Sequence, residues 1–540
     1  MSISHIDKTI ISQALTSATH EMGAKLIRCA HSPIVREAQD CSAALVDRHG
    51  QVVAQAELTA IQLGSIAQTL RPCLDRHPPE TLQPDDFLIS NDPFHGGQHV
   101  QDIFLFTPIF HEDRLIGFGA SVVHHIDVGG GAPGLNASAG DVHQEGLIFP
   151  PSKYSYTRDW CGGEFERLIA ANVRLPDATI GDLNAQFGAN LIGARRMRAL
   201  ATQYGIDTLE RAMAAALDYS EQRVRNAIAT LTPGTYTAEA FMEGETEDAP
   251  PTVIRVRLTV SGDRLDIDFT GTDPQLPTNL NCPFASTVAA AVACVKSVLT
   301  SDDVPFNDGV GRAVSVSAPE GSLLNPRRPA AVRARLLASH RVFNCVMNAL
   351  ATVCPQNVIA EGFDSTTPVC LWHDGEAGYN IYLEILGGGY GAGSGNDGAD
   401  GVDCPLSNCS NIPIEALEMD YPFMRIETYA LLPGTGGSGR HRGGLGFERS
   451  YRILDDRVAF ATYSDRFFIP PRGLDGGGPG AVCTMHVERN GTRIPLSSRA
   501  SFSLQRDDLL VIRTGGGAGF GDPAHRSVDR RQVDETQGLN

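Results

Sequence analysis

No stretch of eighteen or more uncharged apolar residues occurs in this chain of 540 residues; the best candidate, Ala285 to Leu299, is short and carries Lys296. A membrane-spanning helix is not expected. The N-terminus, MSISHIDKTIISQ, lacks a basic start, an apolar run and a small-residue cleavage site, which reads as a cytoplasmic protein. The twelve cysteines form no CxxC pair, and Cys404 and Cys409, the closest two, have no second pair at zinc-finger spacing. That argues against a disulfide framework or a structural zinc cluster, and most of the cysteines read as small buried apolar residues. Positive charge is short too: 44 Lys and Arg against 63 Asp and Glu leave a formal charge of -19, which repels phosphate backbones and anionic lipid. Nucleic acid and membrane are poor partner readings.

Signature loops are also missing. There is no GxxxxGK[ST] for a bound nucleotide, no GxSxG elbow for a nucleophilic serine, and no repeat of solenoid period. The glycine runs Gly387 to Gly393 and Gly436 to Gly444 read as turns, with Arg440 and Arg442 as the alternative, a pair of donors for a phosphate or carboxylate. A third run, Gly515 to Gly521, is expected to end the last strand.

What is present is an ordinary folded composition, 42% hydrophobic and 20% charged, with 56 Gly and 32 Pro implying many turns. The chain is long enough for several units. We expect a mixed, multi-domain α+β protein divided into an N-terminal α/β region with the site (1–230), a β-rich region with one helix (231–325), a helix with a glycine-rich region (326–421) and a C-terminal β-rich region (422–540).

Apolar residues from Ile10 to Ile27 recur at helical spacing, with Asp7 as the cap. Cys41 to Ala56 reads as a hairpin with Asp40 at its mouth, and Asp102 to Phe110 with Leu115 to His125 as a second hairpin around His111 to Arg114. Helical patterning fills Ile180 to Ile228, short strands fill Tyr236 to Phe269, helices are expected over Ala285 to Leu299 and Ala330 to Val353, and strands return from about Pro422 to Arg513.

The chemistry gathers around the second hairpin. NDPFHGGQHVQD enters it and His124-His125-Ile126-Asp127 leaves it. A turn centred between Glu112 and Asp113 sets Val100 opposite His125 and Gln101 opposite His124, so both polar ends meet. Imidazoles and carboxylates suit zinc, manganese or iron, and a site with an open position can activate water. His99, His124 and either Asp102 or Asp40 are the candidate ligands; His125, Asp127 and His143 are further ligands or groups that orient them. The alternative is that these side chains cap strand ends and bond loop backbone.

Arg28-Cys29-Ala30-His31-Ser32-Pro33 through Asp40, NDPFHGGQHVQD, HHIDVGG with Gln144-Glu145-Gly146, Asn281-Cys282-Pro283, APEGSLLNP, Pro413-Ile414-Glu415, SGRHRGGLG and GGGAGFGDP follow one another along the chain. In that order they resemble the hydantoinase B/oxoprolinase family. The resemblance implies a metal-bearing subunit of an ATP-dependent enzyme that opens hydantoin, 5-oxoproline or lactam rings, or in related members a ketone carboxylase. It implies a hetero-oligomer in which a separate A-type subunit with an actin-like ATPase fold uses the ATP and phosphorylates the substrate. On this reading the ion, zinc first with manganese or iron as alternatives, is held by Asp40, His99 and His124. Asp102 is the fourth ligand or the general base, His125 and Asp127 orient ligands, and His143 transfers a proton. Gln62 stands where many relatives are expected to carry histidine, Gln101 where proline is frequent, and His143 where an aromatic residue is common. A non-catalytic scaffold with a structural metal is the remaining alternative.

Overall fold

The structure, a computed structural model, describes residues 4–376 and 378–539; the first three residues of the segment MSISHIDKTIISQ lie outside the described residues. Its first sheet has six strands, β1 (Cys41–Asp47), β2 (Val52–Gln55), β3 (Asp86–Ser90), β4 (Asp102–His111), β5 (Arg114–His124) and β6 (Ser152–Ser155), in the order β2-β1-β5-β4-β3-β6. Every neighbouring pair is antiparallel.

Both faces of this sheet are covered, and the alternation of side chains separates them. Ala44, Val46, Phe104, Phe106, Ala120 and Val122 pack with Ile66 and Leu70 of the helix Ile66–Arg76. Ala43 and Leu45 face the other way, into the core that helices α1 (His5–Cys29) and α2 (Pro176–Tyr204) share. Gly119 of β5 is needed there, because a Cβ would come 2.9 Å from the Asn190 carbonyl oxygen of α2.

The helix at the N-terminus is capped by Ser4 rather than Asp7: Ser4 Oγ accepts from the Asp7 backbone N–H at 3.0 Å. The helical stretch before residue 230 is two helices, α2 and α3 (Ile206–Ile228), broken at Gly205, whose φ of 82° favours glycine. Strands Gly234–Met242, Thr252–Ser261, Arg264–Asp268 and Val314–Ser317 form a second sheet. Helix α4 (Phe284–Leu299) lies where expected.

The next helix, α5, runs Arg335–Leu350 and starts five residues later than the sequence pattern predicts. The reason is distant in sequence. Glu145 Oε1 accepts the backbone N–H groups of Val332 and Arg333 at 2.9 and 2.8 Å, so these donors are held outside the helix.

The C-terminal strands form two sheets, one from Thr367–Gly375, Gly378–Leu386, Val458–Tyr463 and Arg499–Leu504, the other from Met424–Leu431, Phe447–Ile453, Thr484–Arg489, Thr492–Leu496 and Leu509–Arg513. The three glycine runs lie against one another: Gly444 N–H donates to Tyr390 O, Gly517 N–H to Gly444 O and Gly437 N–H to Gly517 O. A side chain at Gly443 would collide with the Gly517 carbonyl. Arg442 is committed to both oxygens of Asp400 at 2.6 and 2.9 Å. The largest cluster of buried apolar residues extends from Ile11 to Ile512 and joins these layers. Nine of the twelve free cysteines are buried, as small apolar residues would be. Among the described residues no helix is long and apolar enough to cross a membrane.

Candidate metal centre

Three adjacent strand ends make the site. Asp102 at the start of β4 is the partner of His124 at the end of β5, and Cys41 pairs with Val123 next to it. The His124 backbone N–H donates to Asp40 O at 3.1 Å, which carries the ladder one residue past β1. Directly opposed residues share a face, so Asp40, His124 and Asp102 project side by side.

This register differs by one residue from the expected one, in which Gln101 faced His124. Near the turn the expected pairing holds, with His111 opposite Arg114 and Phe110 opposite Leu115. Between Ile109 and Phe110 the ladder shifts, Ile109 pairs with Gly117, and every later partner moves by one. A slip of one residue exchanges the faces, so the bulge sets Asp102 beside His124.

His99 arrives by a turn, closed by the Asp102 N–H donating to His99 O at 3.1 Å. His99 Nδ1 then stands 3.1 Å from Asp102 Oδ2. His124 Nδ1 is 3.5 Å from Asp40 Oδ2 and 3.7 Å from Asp102 Oδ1. His99, Asp102 and His124 each offer one ligand atom within 4.8 Å of the others, and all three are buried. Gln62 Nε2 donates to Asp40 Oδ1 at 2.8 Å and to Asp102 Oδ1 at 3.3 Å.

Burial pushes both imidazoles well below the usual histidine range, assisted at His99 by Arg335 and Arg333 and at His124 by Arg333 and His99. They are neutral and able to ligate. Burial, and then the nearby Asp102, raise the Asp40 carboxyl to about 8. The enclosed cavity is about 20 Å³, room for roughly one solvent molecule or ion. Among the described residues Gln62 Oε1 is buried with no hydrogen-bond partner, and His99 Nδ1, although 3.1 Å from Asp102 Oδ2, makes no hydrogen bond of good geometry. Two neutral imidazoles and two carboxyl groups gathered about so small a space are a donor set that fits a divalent ion.

The other predicted residues lie elsewhere. His125 points to the opposite face of the sheet, where its Nε2 is 3.2 Å from Gln186 Oε1 of α2. Asp127 is paired with Arg174, which approaches Oδ1 at 3.0 Å and donates its backbone N–H to Oδ2 at 2.5 Å. His143 is exposed on a short turn of helix.

Two cations reach the site that sequence patterning did not find. Arg335 Nη2 donates to Asp102 Oδ2 at 2.7 Å and to Gln98 Oε1 at 2.8 Å. Arg333 Nη1 is 3.2 Å from His124 Nε2. Both arginines are only 2% exposed. Their sequence signal was two of the three arginines in a mainly apolar helical pattern, which a solvated helix face explains equally well. Glu145, which holds the Arg333 segment, has its carboxyl raised by burial to about 8.

The family model for hydantoinase B/oxoprolinase matches residues 4–523. The chain belongs to that family. A putative D-/L-hydantoinase subunit from a Pseudomonas species is 33% identical to it, over 99% of this chain and 93% of the relative. The crystal structure of the ATP-dependent caprolactamase from Pseudomonas jessenii superposes with a TM-score of 0.91 at 23% identity, over 100% of this chain and 95% of that one. A nucleotide-free acetone carboxylase gives a TM-score of 0.87 at 18% identity, over 99% and 78%. At these identities the two solved structures speak for the fold, a mixed one with several sheets, as expected.

Proposed function

We propose that this member of the family is the metal-bearing subunit of an ATP-dependent cyclic-amide hydrolase, and that it completes the opening of a hydantoin, 5-oxoproline or lactam ring after an A-type ATPase partner has phosphorylated it. The observation that carries this reading is the convergence of Asp40, His99 and His124 on a closed cavity the size of one solvent molecule, with Asp102 set against both imidazoles behind them. An unactivated amide resists water, and phosphorylation of its oxygen makes the carbonyl carbon electrophilic. Water then adds to that carbon, the C–N bond breaks with its electron pair going to nitrogen, nitrogen takes a proton, and the acyl phosphate so formed is cleaved by a second water into carboxylate and inorganic phosphate.

Asp40, His99, Asp102 and His124 would hold the ion, which when bound supplies Lewis acidity that acidifies water and stabilises negative charge. The chain's own part is positional. Arg335 and Gln62 clamp Asp102, and Gln62 also fixes one oxygen of Asp40, so the carboxylates are set before substrate arrives. Asp40 keeps its second oxygen towards His124 and is the group placed to exchange a proton. His125 and His143 take no chemical part in this reading because neither lines the cavity. Bulk water is excluded by the buried wall of Ile61, Leu336 and Tyr463.

The likeness to an acetone carboxylase supports a second reading, ATP-dependent carboxylation of a ketone. One assay separates them. The chain, purified with an A-type partner, is expected to open rings only with ATP and without bicarbonate. Bicarbonate-dependent consumption of a ketone would favour the second reading, and ring opening of an ordinary lactam by this chain alone without ATP would overturn the first. His124→Ala is expected to leave the fold intact and abolish turnover; loss of the fold instead would favour a structural metal in a scaffold.

A further inference from the structure

Arg333 is almost fully buried, yet among the described residues its Nε has no hydrogen-bond partner. Its Nη2 donates to the Gly134 carbonyl at 3.3 Å, and its Nη1 lies 3.2 Å from His124 Nε2. A guanidinium cannot accept a hydrogen bond, so in this contact Nε2 is the acceptor and the ring proton sits on Nδ1. Nδ1 is the nitrogen that faces Asp40 and Asp102. A protonated nitrogen holds no cation. For Nδ1 to ligate, the proton must move to Nε2, where it would oppose a group that can only donate. Ligation through Nε2 would instead set the cation against the guanidinium itself. The contact with Arg333 and the use of His124 as a ligand are therefore mutually exclusive.

We infer that a divalent ion on His124 displaces the Arg333 guanidinium and turns it into the anchor for the substrate's oxyanion, a phosphoryl group on the functional reading above, on which this inference rests. The backbone cannot follow the side chain. Glu145 Oε1 holds the Val332 and Arg333 N–H groups, and Tyr463 Oη donates to Arg333 O at 3.2 Å. The released fork then has unmatched donors in a buried place, the arrangement that phosphate or carboxylate oxygens satisfy in pairs. Arg333 also lines two small cavities, the one at the ion site and a second, of about 10 Å³, beside Gly134 and Glu145. Neither holds more than about one solvent molecule, so an oxyanion enters only when this side chain moves. Arg335, whose Nε is likewise buried and unpartnered, lines the first of them.

The test uses the full chain, stripped with a chelator or loaded with equimolar zinc, in equilibrium dialysis against radiolabelled inorganic phosphate. Zinc loading is expected to tighten phosphate binding by about 5-fold or more, the usual lower range for coupled sites. Arg333→Gln is expected to bind zinc more tightly than the wild type, having no guanidinium to displace, and to lose the phosphate gain. Arg333→Lys, which keeps the charge without the fork, is expected to keep a part of it and serves if the glutamine variant fails to fold. Equal phosphate affinity with and without zinc would overturn the inference, since the guanidinium would then have gone to the unpartnered Glu145 Oε2 instead. So would a gain that survives in Arg333→Gln, which would put phosphate on the ion alone. Acetate competing as well as phosphate would assign the anchor to carboxylates and overturn the phosphoryl assignment. A wild-type chain that takes up no zinc would sink the metal reading itself, and this coupling with it.

Discussion

Arg335 Nη2 lies 2.7 Å from Asp102 Oδ2, and neither side chain is more than 3% exposed. A buried pair of this kind is expensive to break and inexpensive to replace as a whole. Arg335→Met leaves the Asp102 charge buried without its partner and is expected to cost about 3–5 kcal/mol. Arg335→Met with Asp102→Asn is expected to recover most of that. Zinc, a cation able to take the place of the lost one, is expected to raise the melting temperature of Arg335→Met more than that of the wild type. Thermal unfolding of the three chains with and without zinc measures this, and an unchanged midpoint for the single variant would show that the pair carries no such role.

Gln62 makes a different contribution. Its amide nitrogen spans Asp40 and Asp102, so it sets the spacing of two candidate ligands without being one. Groups that orient ligands typically change metal affinity by about 10–100-fold when removed. Gln62→Ala is expected to weaken zinc binding by that factor in a chelator competition, with little change in the circular dichroism spectrum. Undiminished affinity would mean that the carboxylates are held well enough by Arg335 and the strands.

Much of this arrangement is legible in the sequence, and what is not has identifiable causes. Alternating apolar residues around short polar turns locate both hairpins, and the clustering of His99, Asp102 and His124 at one hairpin's mouth follows from them. The register across that mouth does not follow, because the extra residue, Ile116, which lies between Leu115 (opposite Phe110) and Gly117 (opposite Ile109), leaves no mark in a run where nearly every side chain is apolar. Arg333 and Arg335 are hidden for another reason. Ala330 to Val353 is helix-forming by composition, and the start of its helix is decided by the Glu145 carboxylate, 187 residues from Val332 in sequence. Local patterning cannot register a partner at that distance. The glycine runs are hidden similarly, since their need for glycine comes from each other's carbonyls.

Gly119 offers a test of how closely α2 is seated on the sheet. A methyl group there would lie 2.9 Å from Asn190 O and 3.2 Å from Asn190 Cα, both backbone atoms that cannot rotate away. Overpacking of this kind usually costs about 1–3 kcal/mol. Gly119→Ala is therefore expected to lower the denaturation midpoint by a corresponding amount. Because Gly119 faces away from the row formed by Asp40, His124 and Asp102, its zinc stoichiometry is expected to be unchanged. Loss of zinc in a folded Gly119→Ala chain would show that the two faces of the sheet are coupled.

The acid limb of stability should depend on Glu361, far from the metal centre. Its Oε2 accepts from Arg466 Nη2 at 2.8 Å, and its Oε1 accepts from Arg472 Nη2 and Nε at 2.9 and 3.0 Å. Burial by itself would raise this carboxyl, but Arg466, Arg472 and Arg341 outweigh it and hold it at about 2, below the ordinary 4.5. An acid whose folded value is depressed binds its proton more readily when unfolded. Its contribution is thus complete above about pH 4.5 and is lost as pH falls towards 2. The integrated effect is on the order of 3 kcal/mol. Urea midpoints between pH 5 and pH 3 are expected to fall less steeply for Glu361→Gln than for the wild type, although the variant is less stable at pH 7 because Arg466 and Arg472 lose their counter-charge. Parallel acid limbs for the two chains would show that the carboxyl is not depressed and that the three arginines are neutralised by other groups.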